Sequence, residues 1–450
     1  MTDLFFDGKR AYAHLSYLAV QIEGRLGGSE GERQAADYIA EQFAALGLQV
    51  HRQEFPVRTY TLSSKRLEIL DPALGEIPAE VMWIMADTPP EGVEGDLFFL
   101  DSASEEEIGP AVEGKIVLTL GGVRGPAYER LMRFHPLGLI LIEPQVGTPP
   151  MRVEALPERR DKFGAIPTMR IAHEDGLRLL KAGARRARLL VRTTEAEVIS
   201  QNVIGELPGS IFPDEIIVIG GHYDTALGIQ GASDNTGGTA LVLELARVFA
   251  QGGTQRTLRF VGWGSEELGL RGSVYYAREL KKRDKEARKA DGFVKGRDRT
   301  DLDQHRLCVN LDVHGAILGE NVALILGPAD LSAAVRLMAK EIGVAHDVQE
   351  DVYSSDGTPL SEGGIPSVSF SRSGGTTSYL HSPRDVVDYL SPEVLERNGR
   401  FVERFLRRYV TEAAVLPFER TIPEEQKKKI RDYFEKRLQI DYLEDEEKEK

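Results

Sequence analysis

Apolar positions along this 450-residue chain fall into two rhythms. Short unbroken runs read as buried strands: 216–219 (IIVI), 257–263 (TLRFVGW), 306–312 (RLCVNLD), 321–326 and 365–370 (IPSVSF). Between them apolar residues recur at helical spacing. Leu241, Leu245 and Val248 form one stripe in a helix predicted over 236–249, and 331–342 and 393–409 read as two more. Near the start, 11–27 reads as a helix and Ser29 opens another, with Glu32 placed to complete a capping box. Ala35, Ala36, Ile39, Phe43 and Leu46 form its buried stripe, Gly47 ends it, and 48–55 alternates like a strand. Strands alternating with helices in this order predict an α/β fold.

The texture changes over 80–195. Short β-like pieces (96–100, 115–120, 137–142, 188–192) are separated by loops rich in Gly, Pro and Glu, with one helix near 174–182. Asp and His are sparse there and lack ligand-like spacing. This predicts a small domain over 79–196 inserted into a discontinuous main domain, 1–78 and 197–412. Residues 413–450 form a charged helix and an acidic tail expected to fray (DYLEDEEKEK). The charged run within 271–306 reads as a solvated helix face, with a flap over the site as the alternative.

Composition narrows the functional classes. The formal charge of −15 argues against nucleic acid as a partner. The single cysteine, Cys308, lies in an apolar strand and reads as a buried structural thiol, not a nucleophile. No segment approaches the roughly 20 apolar residues of a membrane span, and the first residues lack the apolar core of a secretory leader. The expectation is a cytoplasmic protein that uses no membrane and is open to homo-oligomer formation. Two motif-like stretches fail on context. Residues 109–115 (GPAVEGK) continue into a strand with Ile116 where a phosphate loop needs Ser or Thr, and Ser29 in GGSEG lacks the preceding strand of a nucleophile elbow.

The chemistry gathers at strand ends. The run 216–219 delivers His222 and Asp224, and the loop after it carries Asp234 and Asn235. The next strands end at Glu266–Glu267 and at Asp312, and the loop after 365–370 carries His381. Carboxyl ends of strands are where open α/β sheets build sites. Two histidines with several carboxylates suit zinc or a similar divalent ion, with cobalt or manganese as alternatives. The ligands are too many for one tetrahedral ion, which implies a two-metal site. Asp234 is placed to bridge. One of Glu266 and Glu267 would bind metal while the other moves the proton. Asp224 would fix the tautomer of His222, and Asp385 that of His381.

The order His222-Tyr223-Asp224, Ser233-Asp234-Asn235, Glu266-Glu267, Asn310-Leu311-Asp312 and His381 closely resembles the zinc aminopeptidase family that includes aminopeptidases S and Y, metallopeptidase family twenty-eight. The stretch RLGGSEGERQAADYIAEQF resembles its opening helix. GKIVLTLGG and AIPTMRIAHEDGLRLL resemble parts of the protease-associated domain that many members carry. The resemblance reaches to about residue 412. It implies a mixed, mostly parallel central sheet of zinc-exopeptidase type. It also implies two Zn2+ per chain, one held by His222, Asp234 and Asp312 and the other by Asp234, Glu267 and His381. Glu266 would be the general base and Tyr379 would stabilise the oxyanion. The implied activity is removal of N-terminal residues from peptides through a metal-bridging hydroxide. The family's Ser-Asp-His reads Ser355-Asp356-Gly357 here, which alters the pocket and not a metal ligand. Two rivals stay open: a di-zinc carboxypeptidase or other amide hydrolase of the same fold, and a non-catalytic binding protein.

Overall fold

The computed structural model describes residues 4–22, 24–83, 86–123, 125–154, 157–374, 379–438 and 440. Its central strand, Phe212–His222, is flanked in parallel by Arg256–Trp263 on one side and His305–Leu311 on the other. Ser367–Ser373 continues the sheet in parallel beyond His305–Leu311, and Glu320–Leu326 then runs antiparallel to it. Every strand that brings ligand-type residues to the site is therefore parallel to the central one. That arrangement puts their carboxyl ends on one edge. Helices Gly238–Gly252, Ala329–Ile342 and Pro392–Leu406 cover the sheet, and the main core joins Phe249, Leu245 and Leu241 to Ile217, Phe260 and Phe405.

The alternation at 48–55 is the start of a much longer element. Gln49–Asp71 pairs antiparallel with Arg186–Leu207 along almost their whole lengths, with irregularities between Leu62 and Ser64 and between Ile69 and Asp71. The return strand belongs to both halves of the molecule. Leu207 to Val203 pair with Leu258 to Gly262 of the main sheet, while Leu189 to Arg186 pair with Val93 to Asp96. Beyond the ribbon's middle a second core forms from Leu67, Ile69, Leu118, Ile140 and Leu189. A third, around Tyr128, Leu131 and Leu139, packs on the other face of the same strands.

Two helices depart from the reading of the sequence. Helices Gly125–Met132 and Pro157–Phe163 are not evident in it, because each is short and its loops are rich in Gly and Pro. The C-terminal segment does not simply trail away. Glu424–Tyr433 continues into Phe434–Leu438 and buries Ile430, Phe434 and Leu438 against Leu270, Val274 and Leu326. The expected frayed tail, 441–450, lies outside the described residues. Helix Arg271–Lys289 carries its charged run on an exposed face, and Cys308 is fully buried.

Candidate metal centre

His222 is the last residue of the central strand, and its ring faces three carboxylates. Nε2 lies 3.2 Å from Asp234 Oδ1, 3.4 Å from Asp312 Oδ1 and 3.9 Å from Glu266 Oε2. On the other side of Asp234, His381 Nε2 lies 3.1 Å from Asp234 Oδ2 and 3.1 Å from Glu267 Oε2. Two groups therefore meet within ligand range, His222–Asp234–Asp312 and Asp234–Glu267–His381, with the donor atoms of each inside 4.8 Å. Asp234 belongs to both and turns one oxygen toward each. Adjacent in sequence, Glu266 and Glu267 take different places: Glu267 lies in one triad, and Glu266 Oε2 lies 3.9 Å from His222 of the other.

The backbone around these residues is tightly determined. Asn235 Oδ1 accepts from the amides of Gly238 and Val313, and its Nδ2 donates to Leu311 O, which locks the Asp234 loop to the strand end bearing Asp312. A Cβ on Gly238 would stand 2.1 Å from Leu311 O and 2.3 Å from Asn235 Oδ1, so only glycine allows this approach. Ser265, Val313 and His381 all have positive φ, at 55°, 59° and 55°. These lie immediately before Glu266, immediately after Asp312 and at a triad member itself. Strain of this kind persists where surrounding contacts over-determine the chain, and it clusters at functional sites.

Asp224 is fully buried and its carboxylate accepts from the amides of Glu266 (2.9 Å) and Glu267 (3.1 Å). His222 Nδ1 lies 3.4 Å from Asp224 Oδ1 and 3.2 Å from the Asp224 carbonyl. One side chain thus ties the Glu pair to the imidazole. Asp385 takes a different place from the one expected. Its oxygens accept from Ser233 N, Ser233 Oγ and Asp234 N, so it orients the Asp234 loop instead of the His381 ring. Glu32 also departs from a simple capping box. Ser29 caps the helix through Glu32 N, but the Glu32 carboxylate turns inward to accept from Gly28 N, Ser200 Oγ and Ser265 Oγ, behind Glu266.

Arg25 is a functional residue that the sequence does not single out. It is buried, and its guanidinium donates to the carbonyls of Leu18, Ile22, Tyr223 and Gln230 and to Thr236 Oγ1. It thereby braces the turn between His222 and Asp224. Burial pulls its pKa down to about 10 despite the nearby Asp224 and Asp385 carboxylates. No periodicity marks such a residue; its place in RLGGSEGE is the one signal that could have found it.

Tyr379 packs its ring 5.7 Å from that of Tyr389, with the Arg384 guanidinium 5.4 Å away. Tyr353 and Tyr433 line the cavity over the triads, and it is Tyr353 that lies near Asp312. Burial, and then the Asp312 carboxylate, push its pKa well above the ordinary value, so it stays protonated beside Ser371. Asp356, immediately before the short helix Gly357–Glu362, is fully buried and accepts from Ser273 Oγ. Gly357 stands where the resemblance expects His, and a Cβ there would already meet Ser369 Oγ at 2.9 Å.

Electrostatics fit a cation. Burial alone would depress His222, but Glu266, Asp224, Asp234 and Asp312 outweigh it and hold the metal-free imidazole protonated. Burial pushes Glu266 well above the usual carboxylate range; His222 offsets this, while Asp356, Glu267 and Asp312 add to it. Asp312 Oδ1 is buried without a hydrogen-bond donor. Imidazole and carboxylate donors in shared triads match zinc, which would replace the proton on His222 and satisfy that oxygen.

Fold and site together define a metal-dependent hydrolase of the α/β type. The profile of peptidase family M28 matches residues 202–406 of this chain, which is a metallopeptidase. It is 27% identical over 450 residues to aminopeptidase YwaD of Bacillus subtilis, covering 96% of this chain and 91% of that one. The solved structure of BSAP, a zinc aminopeptidase from Bacillus subtilis, aligns with a TM-score of 0.73 at 25% identity over 94% of this chain and 99% of that one. Carboxypeptidase Q of Bos taurus is 25% identical over 288 residues, 59% of this chain and 60% of that one.

Proposed function

We propose that this chain is a two-zinc aminopeptidase that releases N-terminal residues from peptides. The observation that carries the reading is Asp234, with one carboxylate oxygen in each of two triads and Glu266 beside His222. His222, Asp234 and Asp312 would hold one ion, and Asp234, Glu267 and His381 the other. Bound there, zinc supplies Lewis-acid polarisation of the scissile carbonyl and makes water a nucleophile near neutral pH. Glu266 takes the proton from the attacking water and returns it to the leaving amine. Asp224 keeps Glu266 and the His222 ring in register, and Tyr353, instead of Tyr379, donates its phenolic proton toward the developing oxyanion. The names of aminopeptidase YwaD and of BSAP support the N-terminal polarity.

The decisive variant is Glu266→Gln. It should lower kcat by at least about a hundredfold while elemental analysis still finds two zinc ions per chain. Full activity would remove Glu266 from this role, and one ion per chain would remove the shared site. The similarity to carboxypeptidase Q motivates the opposite polarity as the second reading. Product analysis on a tripeptide and its N-acetylated form separates the two. An aminopeptidase frees the first residue and is blocked by acetylation; a carboxypeptidase frees the last and is not.

A further inference from the structure

The cavity above the triads has a volume of about 520 Å3, and its charges are sorted. Asp234, Glu266, Glu267 and Asp312 form the floor with His381. Among the described residues, the other charged side chains on its walls are cationic: Arg159 from the lobe beyond the ribbon, and Lys436 and Arg437 from the C-terminal helix. This sorting runs against the whole-chain charge of −15. It is also assembled from two segments distant in sequence, neither of which supplies a triad residue.

The three cations are positioned. Arg159 donates to Val123 O at 2.7 Å and lies 4.2 Å over the Tyr128 ring. Arg437 lies 5.7 Å from the centre of the Tyr433 ring, and Lys436 pairs with Asp432 at 2.9 Å. Their helix is itself fixed to the site wall. Tyr433 Oη and Ser354 Oγ are 2.7 Å apart, next to Tyr353, and Phe434 is fully buried. The cations are not needed to neutralise the floor, whose acids face His222, His381 and the metal positions. An acidic floor holding metal, opposite a basic wall, suits a substrate with its amine at one end and a carboxylate at the other. Arginine binds carboxylate through paired, charge-assisted hydrogen bonds. The cavity volume falls within the roughly 300–1,000 Å3 typical of sites that enclose small ligands, which favours short peptides.

We propose that Arg159, Lys436 and Arg437 form a carboxylate-binding subsite, which makes short peptides carrying a carboxylate beyond the scissile bond the preferred substrates. The inference rests on the peptidase reading above. The carboxylate can come from the peptide's own C-terminus or from an acidic side chain.

The test compares kcat/KM of the zinc-loaded full chain on Leu-Gly-Gly, Leu-Gly-Gly-amide and Leu-Asp-Gly-amide. The wild type should favour the free acid over its amide by about tenfold, as one charge-assisted pair would give. That ratio should fall toward one in K436Q/R437Q and shrink in R159Q, and added salt should reduce it in the wild type. Leu-Asp-Gly-amide matching the free acid would assign a side-chain source, and its matching the plain amide would assign the C-terminus. Equal processing of acid and amide by the wild type, or a ratio that survives both variants, overturns the subsite and leaves the peptidase reading standing. Cleavage of none of the three peptides overturns that reading and the subsite with it.

Discussion

The backbone amide of Arg152 donates to the carbonyl of His381 across 2.7 Å. Arg152 belongs to the lobe beyond the ribbon, and His381 is a triad member held at positive φ. The Arg152 side chain adds donations to the carbonyls of Leu227 and Gly228, in the loop leading to Asp234. The lobe thus braces two ligand loops from outside the sheet. Arg152→Ala should therefore loosen metal binding without unfolding the protein. The expected result is zinc loss to a chelator about 10–100-fold faster than in wild type, the usual effect of removing a group that orients ligands. Stopped-flow chelation with a chromogenic acceptor measures it, and an unchanged rate would show that the Arg152 side chain does not support the site.

Gly238→Ala tests the lock between the Asp234 loop and the Asp312 strand end. The added methyl would strike Leu311 O and Asn235 Oδ1, so Asn235 must release Val313 or Gly238. Overpacking of this kind costs about 1–3 kcal/mol. Urea unfolding should give a lower midpoint of matching size, and zinc stoichiometry should fall below that of wild type.

The two tyrosines make opposite predictions. Tyr353→Phe removes the phenolic donor from the cavity and should lower kcat by about a hundredfold, the scale of losing one oxyanion donor, with KM little changed. Tyr379→Phe should leave kcat within a few-fold, because its ring packs on Tyr389. Steady-state kinetics of both variants against one chromogenic substrate decides between them.

His305 sets an acid limit on stability. It is fully buried; Nδ1 lies 2.7 Å from Asp301 O, and Nε2 lies 2.7 Å from Tyr276 Oη and 3.2 Å from Arg259 Nη1. Every neighbour is satisfied by the neutral ring. Burial, and then the Arg259 charge, lower its pKa to about 4. The unfolded chain, with His near 6.5, binds the extra proton first, so this stabilisation is complete above pH 6.5 and is lost as pH falls toward 4. At pH 5 the loss is about 2 kcal/mol. Urea midpoints should fall between pH 7 and 5, and His305→Gln should flatten that slope.

His222, Glu266, Glu267 and Asp312 were legible because each follows closely on a short apolar run, and period alone places such ends on one edge of a sheet. Asp234 and His381 lie instead in loops that follow such runs, and the choice of Glu267 over Glu266 as a ligand rests on the family resemblance. What period could not supply was partnership across space. Asp385 lies four residues after His381, which suggests a local pair, yet its oxygens are engaged by Ser233 and Asp234. Arg25 and Tyr353 act from loops that carry no repeating pattern. The far half of the Gln49–Asp71 ribbon, beyond Thr59, is polar on both faces over several residues and so carries no strand alternation in the sequence. The packing of the C-terminal helix is not legible because its lysines and glutamates outnumber the apolar residues that bury it.

That ribbon also sets how the molecule can move. Two paired strands resist being pulled apart, because each step breaks backbone hydrogen bonds, but they accept changes of twist readily. The irregularity between Leu62 and Ser64 falls where the ribbon leaves one core for the next. The soft motion available to the far lobe is thus a screw-like rotation about the ribbon axis and not a hinged gape. Such a rotation would carry Arg152 and Arg159 together, so release of the grip on His381 and displacement of a cationic wall would be a single mechanical event. Product exit would then be geared to the state of the ligand loop.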